Sequence, residues 1–191
     1  MAVTSEMVKT LRERTGAGVM DCRRAIEEAK GDLDVAADLL KAKGLAAAAK
    51  RVGRVASQGV VEAYIHSGSR LGALVEVNCE TDFVARTEEF RNLARELAMQ
   101  VAATAPRYLS KEDVPAEEVS QQKAALGREA ARASEAETDT RLKQWFAEVV
   151  LLEQPYIRNG TQRIADIITE AAARTGEHIQ VRRFARFKLG E

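Results

Sequence analysis

Cysteine, histidine and charge of one prevailing sign are what this sequence has least of. Only two cysteines occur in 191 residues, Cys22 and Cys79, far apart and outside any CxxC or CxxH spacing. That excludes a disulfide framework and the common thiolate metal sites, and it casts both as small buried hydrophobes of a reducing compartment. Lysine and arginine number 29, and so do aspartate and glutamate. No global field is therefore available to gather nucleic acid or an anionic membrane surface. No apolar run approaches the ~20 residues of a membrane span. The opening stretch MAVTSEMVKTLRER is amphipathic and lacks the apolar stretch of a signal peptide. The expectation is a cytoplasmic protein with neither a nucleic-acid nor a membrane partner.

Groups able to converge on a reaction are equally scarce. The two histidines, His66 and His178, fall in predicted strands. With Cys79 and Asp82 they could gather at one sheet edge, which is the alternative reading of a metal-dependent hydrolase. No pair has the i, i+4 or CxxC spacing that makes such a site persuasive, and surface-facing strand histidines need fewer assumptions. The glycine-rich TGAG (15–18) precedes a helix but has no preceding strand and neither phosphate-loop spacing, so it reads as a tight helix–helix turn. Glu80 and Asp82 lie two apart without a third group to orient them. No nucleophile–base pair is present. The chain is not expected to be an enzyme, and no cofactor or metal is expected. A non-catalytic scaffold module built on the N-terminal helices, ubiquitin-like or RNA-binding, is the other alternative; neutral charge and the lack of an aromatic platform count against it.

What is present divides by period. Residues 1–44 predict a module of three short helices. Thr4 or Ser5 caps the first, with Val8 and Leu11 opening its apolar stripe. Cys22, Ala25, Ile26 and Ala29 line the second, and Gly31 ends it. Asp32 caps the third, where Val35, Ala36, Leu39 and Leu40 face one way until Gly44 stops it. Residues 45–59 are basic, helix-prone and poor in large apolar side chains, a helical or flexible linker. A core domain, 60–191, then opens with alternation. Val61, Ala63 and Ile65 alternate with Glu62, Tyr64 and His66; after SGSR, residues Leu71, Ala73, Val75, Val77 and Cys79 line one face. This predicts a β-hairpin with one buried side.

A helix follows from Thr87, with Phe90, Leu93, Leu97 and Val101 in stripe and Pro106 as its stop. Residues 114–140 carry few large apolar residues and predict an exposed helical excursion. Trp145, Val149 and Leu152 mark another helix, broken at Pro155. Ile164, Ile167, Ile168 and Ala171 mark the last, closed by Gly176. In HIQVRRFARFKLG (178–190), Ile179, Val181, Ala185 and Phe187 alternate with polar or basic residues, as in a final strand added to the hairpin. The fold class expected is α+β: a three-helix bundle, then an antiparallel three-stranded sheet packed with helices.

One stretch resists this pattern. In ETDFVART (80–87), Phe83 follows a strand end. A helix begun at Asp82 would place Phe83 seven residues before Phe90, on the same face and in the core. Thr87 followed by Glu88 and Glu89 also reads as a cap with first-turn acids, which would leave Phe83 in a turn outside the main helix. Because aromatic side chains are mostly buried, the residues alone favour the core position.

LRERTGAGVMDCRRAIEEAKGDLDVAADLLKAKG, VEVNCETDFVART, GSRLGALVE, VLLEQPYI and VRRFARFKLGE, taken in this order, resemble the bacterial elongation factor Ts family over nearly the whole chain. The TDFV motif is only four residues long, but the ordered co-occurrence is specific. The resemblance implies a guanine-nucleotide exchange factor for elongation factor Tu in translation elongation, with an N-terminal module similar to ubiquitin-associated domains and an α+β core. It implies that Asp82 and Phe83, flanked by Thr81 and Val84, enter the GTPase beside its Mg²⁺ and phosphate site. It also implies an apolar contact from Leu11, Val19 and Met20; many relatives carry methionine where Val19 stands. Longer family members have two core subdomains. This chain has room for roughly one, and short members are associated with homodimers.

Overall fold

The computed structural model describes residues 3–129 and 135–191, so residues 130–134 of the expected excursion at 114–140 lie outside the described residues. Three helices come first, α1 (Ser5–Thr15), α2 (Val19–Glu28) and α3 (Leu33–Ala49). Thr4 caps α1 by accepting from the Met7 amide, and Asp32 caps α3 through the amides of Asp34 and Val35. Such caps satisfy donors that a helix N-terminus leaves orphaned. Gly16, at φ 69°, closes α1 in the left-handed conformation that glycine adopts without steric cost. Leu11, Cys22, Ala25, Ile26 and Ala36 form the small core of this bundle.

The expected stop at Gly44 does not occur. The helix α3 runs on to Ala49, and Ala48 joins the larger core beyond it. The missing side chain serves packing: a Cβ on Gly44 would lie 3.2 Å from the Cβ of Ala173. Helix propensity loses about 1 kcal/mol at an interior glycine, and close helix approach offsets it here.

The sheet comprises β1 (Gln58–Ile65), β2 (Leu71–Cys79) and β5 (Gln180–Lys188) in the order β1-β2-β5, antiparallel throughout. Between β2 and β5 come α4 (Asp82–Ala85), α5 (Glu88–Thr104), α6 (Ala116–Glu129), α7 (Glu135–Val149), a small hairpin of β3 (Pro155–Tyr156) and β4 (Asn159–Arg163), and α8 (Ile164–Thr175). The helix α5 covers the inner face of the sheet, α8 packs on α5, and α3 packs on α8. The chain is thus mixed helix and sheet, as its periodicities predict.

Two strand faces differ from expectation. Ala73, Val75, Val77 and Cys79 are buried as predicted. In β1, however, Val60, Glu62 and Tyr64 stand opposite Val77, Val75 and Ala73 and share their face, while Val61 and Ile65 are exposed. Both faces of β1 carry apolar residues, so alternation alone could not orient it, and pairing register decided it. In β5 the register shifts beside Glu76 and Val77. This bulge turns Phe184 inward opposite Val75 and leaves Phe187 outside, reversing the phase expected for Ala185 and Phe187.

The β3–β4 hairpin, which periodicity did not predict, is held by a buried amide network. Gln100 Nε2 donates to Gln154 Oε1 and to the Pro155 carbonyl, both at 3.1 Å, and Gln100 Oε1 accepts from the Ile157 amide at 3.0 Å. Thr104 donates to Gln154 Oε1 at 2.6 Å. Tyr156 donates to Glu96 at 2.8 Å.

Candidate functional site

The segment after β2 is built as a short rigid bracket. Cys79 ends the strand buried, and its thiol donates to the Thr81 carbonyl at 3.1 Å. Burial, followed by the nearby Glu177 carboxylate, pushes the Cys79 thiol up to about 11. A thiol so placed is inert rather than nucleophilic at neutral pH. Thr81 caps α4, accepting from the Val84 amide at 3.3 Å. One turn later Thr87 donates to the Val84 carbonyl at 2.8 Å and caps α5 by accepting from Phe90.

Both helix starts read from the sequence therefore exist, as separate helices. Val84 and Ala85 are buried and anchor α4 to the core, whereas Phe83 is 78% exposed. Asp82 is exposed as well, paired with Arg86 at 2.6 Å across the turn. An exposed i, i+4 pair of this kind contributes little to stability and exchanges readily for another partner. Phe83, by contrast, is a large aromatic kept out of its own core beside an available carboxylate.

One loop residue that sequence reasoning missed, Glu177, holds this bracket from across the fold. Glu177, between α8 and β5, accepts from the amides of Glu80 and Thr81, both at 3.0 Å, and from the Thr81 hydroxyl at 2.5 Å. Glu80 in turn accepts from the His178 amide at 2.7 Å and lies 3.6 Å from the Arg54 guanidinium. The His178 ring sits 2.8 Å from the Arg54 carbonyl. Between 96 and 98 positions separate Glu177 and His178 from Glu80 and Thr81 in sequence, and no local pattern signals such a pairing.

In the bundle, Val19 and Met20 open α2 immediately after the TGAG turn and are 50% and 61% exposed. Leu11 has no accessible surface. It fills the centre of a bundle too small to spare a leucine, clustered with Cys22, Ala25 and Ile26 of α2 and Ala36 of α3. The sequence also missed that Val35 is exposed rather than turned inward.

The residues of the hydrolase alternative do not meet. His66 follows β1 at the end of the sheet where Ile65 pairs with Gly72, and it lies 3.0 Å from the Tyr64 hydroxyl. His178, Cys79 and Asp82 lie toward the opposite end, where Asn78 pairs with Gln180. Among the described residues, no group of three His, Cys, Asp or Glu side chains is placed to hold a metal ion. No helix among them is long and apolar enough to cross a membrane.

Fold and site together define an α+β protein with an N-terminal three-helix module and an aromatic side chain presented on a braced turn. The family described as Elongation factor TS matches residues 34–191. Elongation factor Ts of Carboxydothermus hydrogenoformans is 54% identical, covering 99% of this chain and 90% of its own length. The homologue from Caldanaerobacter subterraneus subsp. tengcongensis is 52% identical, with 99% and 98% covered. That from Heliobacterium modesticaldum is 50% identical, with 99% and 91% covered. The chain belongs to the elongation factor Ts family.

Proposed function

We propose that this chain is the guanine-nucleotide exchange factor of elongation factor Tu, acting in the cytoplasm during translation elongation without direct nucleic-acid contact. It makes and breaks no covalent bond and is not an enzyme. Family membership supplies the partner, and the observation that carries the mechanism is the 78% exposure of Phe83 on its braced turn.

An exchange factor binds the nucleotide-free GTPase more tightly than the nucleotide-bound form. By linkage it weakens nucleotide binding by the same factor that nucleotide weakens its own. Mg²⁺ and positioned donors hold the phosphates in such GTPases. The Thr81–Val84 segment enters beside that site: Phe83 displaces the coordinating groups, its burial in the partner favouring the displaced state, and Asp82 releases Arg86 to accept hydrogen bonds there. Residues 1–44 form the gripping module, similar to ubiquitin-associated domains, with Val19 and Met20 as its contact, while Leu11, grouped with them by the resemblance, is buried in the bundle core and supports the fold of the module. Residues 45–59 link it to the core at 60–191.

The working unit is a homodimer, in which two cores supply the larger surface of two-subdomain relatives. Support comes from the outer sheet face, where Val61, Ile65, Leu74 and Phe187 are exposed; soluble monomers rarely leave wide apolar patches open. Size-exclusion chromatography with light scattering gives twice the chain mass if this is right. The function is tested by co-elution. The chain travels with nucleotide-free elongation factor Tu, and added GDP with Mg²⁺ separates the two. Failure to co-elute in the absence of nucleotide overturns it.

A further inference from the structure

We infer that Glu177 is a positioning residue for exchange, the strut that holds the Phe83 turn in its working conformation; this rests on the reading of Phe83 given above. The turn cannot hold itself. The helix α4 has four residues, far below the length at which a helix is stable unaided, and Phe83 contributes almost nothing to its own placement because it points to solvent.

Glu177 supplies the missing constraint. Its Oε2 takes both successive amides of Glu80 and Thr81, fixing the backbone where β2 ends. Its Oε1 takes the Thr81 hydroxyl proton. With that proton committed, a lone pair of the same hydroxyl is left facing the Val84 amide, which it accepts to cap α4. One carboxylate thus sets the strand end, the cap and, through them, the direction of the Phe83 side chain. Glu80 closes the frame by binding the His178 amide beside Glu177 and reaching the Arg54 guanidinium. The brace also joins the turn to the segment that leads from the three-helix module. A probe ordered before docking does not lose its conformational freedom on binding, which is the benefit of preorganisation.

The test compares wild type, Glu177→Ala, Glu177→Gln, Phe83→Ala and the Glu177→Ala/Phe83→Ala double variant. Each is assayed for release of a fluorescent GDP analogue from elongation factor Tu, and amide hydrogen exchange is measured on the free chains. Glu177→Ala is expected to expose the Glu80, Thr81 and Val84 amides while protection in α5 and β2 is retained. The maximal release rate falls about tenfold, with half-saturation changed less than twofold because the three-helix module still docks. Glu177→Gln, which keeps one acceptor oxygen, lies between. In the double variant Glu177→Ala adds nothing to Phe83→Ala, since it acts only through that ring.

Retained protection of the Glu80, Thr81 and Val84 amides, or a wild-type maximal rate, in Glu177→Ala overturns the inference, and does so alone if Phe83→Ala is slow. Additive losses overturn it too, by showing a role independent of Phe83. If Phe83→Ala releases GDP at the wild-type rate, the reading of Phe83 falls and takes this inference with it. Should Glu177→Ala fail to fold, Glu177→Gln decides by the same criteria.

Discussion

Replacing Phe83 by alanine separates two roles that a phenylalanine can have. A phenylalanine side chain carries about 200 Å² of burial potential. With 78% of the residue exposed, roughly a fifth of that area is covered in the free protein, or about 40 Å². At about 25 cal/mol per Å², truncation then costs folding about 1 kcal/mol. Docking into the partner as proposed would cover the remainder, about 150 Å², worth about 4 kcal/mol at the same coefficient, while hot-spot truncations start near 2 kcal/mol. GDP release stimulated by Phe83→Ala is therefore expected to be roughly 30- to 700-fold slower than with wild type, at nearly unchanged stability. Phe90, seven residues on and fully buried, is the control: Phe90→Ala should lose about 3–5 kcal/mol of stability. The assay is stopped-flow release of a fluorescent GDP analogue, beside urea unfolding of each variant. A loss of stability in Phe83→Ala like that of Phe90→Ala would refute the reasoning, as would undiminished release.

Three other perturbations address the frame behind the site. Gln100→Ala removes the donations to Gln154 and to the Pro155 carbonyl and leaves the Ile157 amide without its acceptor; urea unfolding should show a loss of about 3 kcal/mol. Gly59 has φ 150°, and a Cβ there would lie 2.1 Å from the Val77 carbonyl oxygen, so Gly59→Ala should lower stability by about 2 kcal/mol or more. Burial raises Cys79 from 9.0 to about 11, so the folded state keeps this proton longer than the unfolded state does. The contribution is fully present below pH 9 and is lost as pH rises to about 11, with a slope of about 1.4 kcal/mol per pH unit. Tyr156, raised from 10.0 to about 12 by burial and by its hydrogen bond to Glu96, extends the same decline upward. Urea midpoints of Cys79→Ala and wild type should converge as pH rises across the Cys79 range, and parallel profiles would contradict the assignment.

Much of the fold is legible in the sequence where one period dominates and one face is polar. Caps at Thr4, Asp32 and Thr87 act as predicted, and the buried alternation of β2 is found in place. Legibility fails where both faces are apolar, as in β1, and where a bulge changes phase, as in β5; pairing partners decide these, and they lie far away in sequence. Gly44 misled because a small residue that ends one helix serves close packing in another. For the site, the residues alone favour a buried Phe83; the helix does begin at Asp82, but it ends at Ala85 and the cap at Thr87 starts a second helix, so the ring lies outside the core of α5 and is exposed. The carboxylate of Glu177 was invisible, because a strut formed by tertiary contact has no local spacing. Leu11, Val19 and Met20 were grouped by resemblance, and only the packed bundle separates the buried leucine from the two exposed side chains.

The most direct measurement is the rate constant for release of a fluorescent GDP analogue from elongation factor Tu as the concentration of this chain is raised. The account predicts that it climbs with concentration to a plateau more than ~150-fold above the spontaneous rate, beyond the usual range of allosteric coupling. A release rate that stays at its spontaneous value, with the folded chain in excess, would contradict it.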